Sequence, residues 1–221
     1  MIISKGRTGA AAALCAAGML AAGPASGHPH IWAEARLDVA IADNAVVALQ
    51  HVWRFDDIFS STVMIEFDQN ADNQLSDEEL QEVGDTVRRS IADFDYFQTV
   101  IADGYDVEMT PPETILADMQ DGRLVLIFES RMTKPLPLSG KLAIAIYDPT
   151  FYTAIDYVND TDMVVEGLSG ECKREVVRPD PDEIIAQNQQ DLTESFYETT
   201  DMTDLSGIFA TRLELTCNAQ G

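Results

Sequence analysis

The chain has 221 residues, of which 38 are Asp or Glu and 14 are Lys or Arg, and its formal net charge is -24. This charge excludes nucleic acid as a partner and disfavours anionic membrane surfaces, because phosphate groups would be repelled. It favours cations or a basic protein as counterparts. The length fits one domain that carries an insertion.

The first 27 residues have the pattern of a secretory signal peptide. Basic residues precede an apolar run at residues 9–22, and small residues fill positions 24–27. The run is shorter than the ~20 apolar residues of a membrane span, and no second run of that length follows. Cleavage after Gly27 is favoured and cleavage after Ala25 is the alternative. Either cut predicts a periplasmic protein, not inserted in a membrane, that starts near residue 28.

Two alternating segments predict a β-hairpin at the start of the mature chain. Residues 31–41 carry apolar side chains at odd positions, as a half-buried strand does. Residues 46–55 alternate in the same way, with Leu49, His51 and Trp53 on the apolar face. Because both apolar sets are odd-numbered, the numbers of paired residues should sum to an even value. An odd loop such as Asp43-Asn44-Ala45 is therefore expected in place of a two-residue turn.

Residues 56–94 change to a helical period on both sides of an acidic loop. Ile58, Phe59 and Val63 suit a first helix. The spacing of apolar residues from Leu80 to Phe94 suits a second helix. The segment is therefore expected to be a helix–loop–helix insertion, which is the arrangement of an EF-hand.

Short strands and turn signals alternate from Tyr96 onward. Strands are expected at residues 123–132, 141–147, 151–158, 163–167 and 208–217, and a short helix at residues 182–191. Residues 190–205 are acidic and rich in Thr, which predicts a mobile segment. The expected fold is α+β: a single β-rich domain over residues 28–221, with an antiparallel β-sandwich-like body and the inserted EF-hand.

The loop at residues 68–79 matches the twelve-residue calcium loop of an EF-hand. Oxygen ligands fall at positions one, three, five, seven, nine and twelve, the seventh through its backbone carbonyl: Asp68, Asn70, Asp72, Gln74, Ser76 and Glu79. Calcium takes six to eight oxygens, and a final Glu binds with both of its oxygens. Position six is Asn73 in place of Gly, and Asn tolerates a left-handed backbone.

A metal-free alternative exists for the same loop. Ser76 and Glu79 also form a capping box, so the segment could be a capped helix after an acidic turn. If calcium binds, three charged ligands and the absence of a partner loop favour a weak site, with Kd on the order of 10⁻⁴–10⁻³ M. Such a site would fix structure and would not sense a signal.

The residues His28-Pro29-His30 form a second candidate metal site. Alternation places His28 and His30 on one face, and Asp56 can share that face across the hairpin. Two imidazoles and a carboxylate suit zinc, nickel, cobalt or copper. Cleavage after Gly27 would add the amine of His28. Cleavage after Ala25 would leave Ser-Gly-His, which can wrap a square-planar copper or nickel ion. A solvated terminal cluster is the alternative.

His51 has two interpretations. It is a further candidate metal ligand, or it is a hydrogen-bonded core histidine, because it shares a face with Leu49 and Trp53. A copper oxidase with a histidine brace would need an imidazole converging on His28, and the predicted face of His51 is wrong for that. The chain has no nucleophile elbow, phosphate loop or metalloprotease helix. We therefore expect the protein not to be an enzyme.

Two cysteines follow the signal segment, Cys172 and Cys217. An even number of cysteines in an oxidising compartment predicts one disulfide. The bond would tie the segment after the main body to the last strand.

Several short motifs together resemble domain of unknown function family 1007, whose members are described as a periplasmic component of an ABC-type transport system. The matching motifs lie at residues 28–32, 51–56, 68–79 and 147–152, with the two late cysteines. The family looks associated with nickel/cobalt-type and zinc-type transport. The resemblance implies a periplasmic metal-binding accessory that serves a membrane metal transporter. A calcium-stabilised interaction module without transition metal is the alternative.

Overall fold

The structure, a computed structural model, describes residues 29–187 and 206–218. The predicted signal peptide, His28 and the predicted mobile segment at residues 190–205 lie outside the described residues. Among the helices of the described part, none is long and apolar enough to cross a membrane.

The chain begins with the predicted hairpin, formed by β1 (Ile31–Ala42) and β2 (Ala45–Phe55). The strands are antiparallel, with Ala33 opposite Phe55, and the numbers of paired residues sum to an even value over most of the ladder. The expected three-residue loop is wrong. Asp43 and Asn44 form a two-residue turn with positive φ at both positions, as type I′ hairpins require. A register shift at Val47 absorbs the odd residue as a bulge inside the strand.

The remaining elements follow in chain order. Two helices come first, α1 (Asp57–Phe67) and α2 (Asp77–Ser90). They are followed by β3 (Gln98–Ala102), β4 (Tyr105–Asp106), β5 (Met109–Thr110), β6 (Ile115–Gln120), β7 (Arg123–Pro137) and β8 (Gly140–Ile146). The last are β9 (Thr153–Asp156), β10 (Met163–Val165), β11 (Cys172–Val177), α3 (Pro181–Gln187) and β12 (Arg212–Cys217).

The strands within residues 29–187 and 206–218 form two sheets. A seven-stranded sheet has the order β10-β1-β2-β7-β5, with β6 also on β7 and β9 also on β1. A five-stranded sheet has the order β11-β12-β8-β3-β4. The mixed α+β class is confirmed, but the body is not wholly antiparallel, because β9 and β10 both run parallel to β1. A tight hairpin requires antiparallel pairing, but a longer connection allows the next strand to pair in parallel. Strands β9 and β10 reach the free edge of β1 through such longer connections.

Both sheets contribute to one hydrophobic core. Leu37 and Trp53 come from the seven-stranded sheet, and Ile144 and Leu213 from the five-stranded sheet. These four side chains are at most 1 % exposed. The odd-numbered apolar residues that the sequence pattern placed on one face of β1 and β2 therefore lie on the buried face.

Helices α1 and α2 are fixed to the seven-stranded sheet by close contacts. The buried Ser60 hydroxyl donates to the Asp56 carbonyl at 2.6 Å and accepts from the Leu124 N–H at 2.9 Å. On α2, Gly84 lies so close to β6 that an added Cβ would stand 2.0 Å from the Ile115 carbonyl oxygen. The sheet therefore holds both ends of the connecting loop.

Five strands of the described residues were not predicted: β3, β4, β5, β6 and β11. The expected strand at residues 151–158 is shortened to Thr153–Asp156, and its beginning is delayed because Phe151 has a φ of 60°, outside the extended region. The expected strand at 208–217 begins at Arg212, after a turn of 3₁₀ helix at Gly207–Phe209. Of the helix expected at residues 182–191, the described part is α3.

Candidate metal-binding loop and histidine sites

The predicted calcium loop connects α1 to α2 and curls around Asp68. The Asp68 carboxylate accepts from the Asp72 N–H at 3.1 Å and from the Asn73 N–H at 2.8 Å. The Asn70 side-chain oxygen accepts from the Asp72 N–H, and the Asp72 carboxylate accepts from the Gln74 N–H, each at 2.8 Å. Each of these side chains is thus oriented by the backbone that follows it.

Glu79 joins the two ends of the loop. One carboxylate oxygen accepts from the Gln69 N–H at 2.8 Å, and the other accepts from the Ser76 N–H at 2.8 Å and the Ser76 hydroxyl at 2.9 Å. The hydrogen bond from the Ser76 N–H, followed by that from Gln69, lowers the pKa of Glu79, because both stabilise the charged form. The carboxylate is therefore ionised at neutral pH and reaches back to the beginning of the loop.

The loop backbone takes the left-handed conformation at the predicted sixth position. Asn73 has a φ of 64°, and Ala71 has a φ of 59°. Asn is a residue that accepts this region at low cost, and Ala is not. The sharp turn for which EF-hands use Gly is therefore present with Asn.

The capping box predicted at the start of α2 is also present. The Ser76 hydroxyl accepts from the Glu79 N–H, and the Glu79 side chain accepts from the Ser76 N–H. In residues 29–187 and 206–218, no three His, Cys, Asp or Glu side chains are grouped closely enough to hold a metal ion as they stand. The loop carboxylates face its own N–H groups, so a cation would have to use their remaining lone pairs.

Asp56 caps α1 and ties that helix to β1. Its carboxylate accepts from the N–H groups of Trp32 at 2.8 Å, Ile58 at 2.8 Å and Phe59 at 2.9 Å. Partial burial opposes the ionisation of Asp56, but these three donors outweigh it and lower its pKa. The residue predicted as a metal ligand thus has a structural role at the junction of hairpin and helix.

His30 lies just before β1 and contacts the loop that follows β8. The backbone N–H of His30 donates to the Tyr152 carbonyl at 2.9 Å, and the centroids of the His30 and Tyr152 rings are 4.9 Å apart. That loop is folded around Asp148, which accepts from the N–H groups of Thr150 and Thr153. The structure therefore brings the described part of the first motif, residues 29–32, to the motif at residues 147–152, which is far away in sequence. The His30 side chain is exposed.

His51 is a buried member of the core. Its ring stacks on Phe128 with centroids 4.5 Å apart, and its Nε2 lies 3.0 Å from the Gln98 side-chain oxygen. The Gln98 amide nitrogen donates to the Ser130 hydroxyl at 2.9 Å, so the Gln98 oxygen accepts from Nε2–H of His51. Burial lowers the pKa of His51 to about 4, and the bond to Gln98 opposes that shift only in part.

The structure does not bring His51 and His30 together. His51 pairs with Leu37, and Leu37 is seven positions along the extended chain from His30. At ~3.3 Å per residue the two backbones are roughly 20 Å apart. Asp56 is close to the beginning of β1, as His30 is, and His51 is not. The predicted transition-metal ligands therefore do not form one site, because His51 lies apart from His30 and Asp56.

Two residues of this polar chain were not predicted from the sequence: Gln98, the partner of His51, and Ser130, the partner of Gln98. Ser130 could have been found, because it interrupts the apolar even-numbered face of β7 between Phe128 and Met132. Gln98 begins β3, a strand of five residues, which is too short for the alternation of apolar and polar residues to show which side chains face the core.

The chain is similar to proteins of a family of unknown function. The family model described as "Protein of unknown function (DUF1007)" matches residues 13–217. The chain is also 24% identical over 193 residues to an uncharacterized protein of Haemophilus influenzae (strain ATCC 51907 / DSM 11121 / KW20 / Rd). That match covers 86% of this chain and 91% of the relative.

Proposed function

The chain belongs to DUF1007, a family of proteins of unknown function, and we propose that it is an exported, calcium-stabilised protein that acts as a periplasmic accessory of a transition-metal transport system. Residues 68–79 with α1 and α2 form its EF-hand, and the two sheets are the layers of a sandwich. The observation that carries the calcium site is Glu79, whose two oxygens contact N–H groups near both ends of the loop.

The donor set of the loop suits a hard cation. Asp68, Asp72 and Glu79 supply carboxylates, Asn70 and Ser76 supply neutral oxygens, and the Gln74 carbonyl completes the set, which is the ligand type that calcium prefers. The left-handed φ of Asn73 supports the turn that such a loop needs. Calcium would add to the stability of the helix pair, since it binds the folded loop and not the unfolded chain.

The transition-metal role is proposed for the N-terminal histidines. His30 is exposed at the beginning of β1, where Asp56 also lies. His51 contributes to the core and takes no part in this site. Two imidazoles, with or without the terminal amine, would bind zinc, nickel, cobalt or copper. The membrane metal transporter is the proposed partner, and the proposal contains no catalytic step.

One experiment tests both metals. The full precursor is expressed so that the cell processes it, and the product is dialysed against mixed calcium, zinc, copper, nickel and cobalt before elemental mass spectrometry. Glu79→Gln is expected to lose calcium while Glu78→Gln, its exposed neighbour outside the ligand positions, retains it. A paired His28→Gln and His30→Gln variant is expected to lose the transition metal and keep calcium.

The thermal stability of the same samples gives a second measurement for calcium. With a Kd on the order of 10⁻⁴–10⁻³ M, 10 mM calcium should stabilise the wild type by about 1 to 3 kcal/mol. An equal calcium response in Glu79→Gln and wild type would remove the calcium proposal. If the histidine variant retains the same transition metal as wild type, the accessory role is wrong. If calcium alone is retained, a calcium-stabilised interaction module is the better account.

A further inference from the structure

A surface groove of about 1020 Å³ lies on the five-stranded sheet, away from the proposed metal sites. Its floor is the outer face of β3, β8 and β12, opposite the face that forms the core. This volume is at the upper limit of ~300–1,000 Å³ that small-molecule sites occupy. The groove therefore has room for a segment of chain.

Small residues make the floor a trough along β8. Ala143 and Ala145 lie on the outer face of this central strand. Ile101 and Thr99 stand beside them on β3, and Arg212 stands beside Ala145 on β12. Larger side chains thus flank the alanines on both sides. A trough that follows a strand fits an extended peptide better than a compact ligand.

The charge of the groove is strongly negative. Asp93, Asp95, Asp106 and Glu108 line it, are exposed, and take part in none of the ion pairs of the described residues. Arg212 is the single basic residue among the described lining residues, and its guanidinium is held by Glu214 at 2.7 Å. The carboxylates of the rim are therefore available to a cationic ligand.

The backbone of the rim is strained. Asp95, Tyr96 and Phe97 have consecutive φ values of 50°, 55° and 62°, a conformation that costs side-chain-bearing residues free energy. The strained turn directly follows Phe94, a phenylalanine that is 39% exposed beside the acidic residues. An exposed aromatic ring next to carboxylates can hold an Arg or Lys side chain by cation–π contact as well as by charge. Strain of this kind is concentrated at ligand sites in proteins.

We propose that this groove docks a basic, extended segment of a partner protein. Apolar side chains of that segment would pack on the floor at Ala143 and Ala145. Its Lys and Arg side chains, which alternate with them in an extended chain, would reach the four carboxylates and Phe94. The proposal does not depend on calcium or on the N-terminal histidines.

The test uses the processed protein and a blocked eight-residue peptide in which Lys or Arg alternates with Val. Binding is followed by backbone amide NMR at about 150 mM salt, where charges farther apart than ~8 Å are screened. The groove variant carries Asp93→Asn, Asp95→Asn, Asp106→Asn and Glu108→Gln. The control variant removes the same number of charges at exposed acids outside the groove: Asp43→Asn, Glu66→Gln, Glu78→Gln and Glu171→Gln. Asn at position 95 tolerates the left-handed backbone.

The expected result is saturable shifts at Thr99, Ile101, Ala143 and Ala145, with at least tenfold weaker binding to the groove variant and less than threefold change in the control variant. Near-UV circular dichroism checks that both variants are folded. An equal loss in the two variants, shifts spread over the whole acidic surface, or no saturation up to 1 mM peptide would overturn the proposal. Spermine serves as a second probe. If it binds the groove as tightly as the peptide does, the site takes small polycations and the peptide proposal is wrong.

Discussion

His51 shows how burial decides the chemistry of a side chain. The Gln98 oxygen occupies its Nε2–H, and its Nδ1 is buried without a hydrogen-bond partner among the described residues. An unpartnered Nδ1 lone pair requires the neutral ring, because a charged imidazole donates from both nitrogens. A group of this kind is a poor ligand for an exchangeable metal ion and a strong determinant of acid stability.

The stability of the protein should fall as the pH drops from about 7 to about 4. The pKa of His51 is about 4 in the folded chain and 6.5 in the unfolded chain. As the pH falls, the unfolded state therefore binds the proton before the folded state does. The contribution of neutral His51 to the free energy of unfolding is fully present above pH 6.5 and is lost between pH 6.5 and pH 4. Below pH 4 the titration of His51 causes no further change in stability. The size of this effect is about 3 kcal/mol.

Urea unfolding at several pH values, in wild type and His51→Gln, measures this contribution. Gln keeps an N–H donor for Gln98 but does not titrate. The stability difference between the two proteins should shrink by about 3 kcal/mol between pH 7 and pH 4. The exposed His30→Gln serves as the control and should follow the wild type. A difference that does not change with pH would contradict the assignment of a neutral buried His51.

The hairpin of β1 and β2 shows how an element satisfies a parity rule in an unexpected way. The apolar pattern demands an even sum of paired numbers, and a two-residue turn alone would violate it. The bulge at Val47 restores the parity for the rest of the ladder. The turn itself is an Asp-Asn pair with positive φ at both residues. Local turn chemistry therefore decides the loop, and the strand adjusts to it.

Helix α2 should not accept a side chain at Gly84. The added Cβ would stand 2.0 Å from the backbone oxygen of Ile115, which has no flexible end that can move away. We expect Gly84→Ala to lower the free energy of unfolding by about 1 to 3 kcal/mol, although Ala favours a helix by up to ~1 kcal/mol. Denaturant unfolding measures the change.

Gly170→Ala is the matched control, because its Cβ would meet no atom within 4 Å and its φ is not in the left-handed region. This variant should be neutral or slightly more stable than wild type. If Gly84→Ala behaves in the same way, α2 does not pack on β6 as described. Since Glu79 lies in the first turn of α2, the Gly84 variant should also weaken calcium binding if the loop depends on this packing.

At the scale of the molecule, one covalent bond closes the C-terminal part of the chain. Cys172 and Cys217 are directly opposite on β11 and β12 and form the predicted disulfide. The bond joins residues 45 positions apart. In the chain-entropy account, a loop of this length restricts the unfolded state and stabilises the fold by about 4 kcal/mol.

The paired variant Cys172→Ser and Cys217→Ser is expected to lose about 3–4 kcal/mol in urea unfolding. Reduction of the wild type should produce the same loss, and reductant should have no effect on the variant. The Cys172→Ser and Cys217→Ser chain should still bind calcium, because the loop at residues 68–79 lies on the other sheet. Equal stability of the oxidised and reduced wild type would show that the bond adds nothing to the fold.

Much of the organisation follows from local pattern. Apolar residues at every second position predict the buried faces of β1 and β2, and apolar residues with a period of about 3.6 predict α1 and α2. The spacing of oxygen-bearing side chains in residues 68–79 predicts the candidate calcium loop. Each of these depends on neighbours within one or two turns of chain, so the residues themselves carry the information. The disulfide could also be predicted, because the two cysteines that follow the predicted signal segment allow a single pairing.

Tertiary structure alone decided the rest, because it depends on contacts between residues distant in sequence. The parallel pairing of β9 and β10 with β1 follows from where long connections end, which no local pattern encodes. The hydrogen-bonded chain from His51 through Gln98 to Ser130, separate from His30, required β2 and β7 of one sheet to meet β3 of the other. The acidic groove arises in the same way, since its floor and rim come from segments between residues 92 and 212 that meet only in the folded chain.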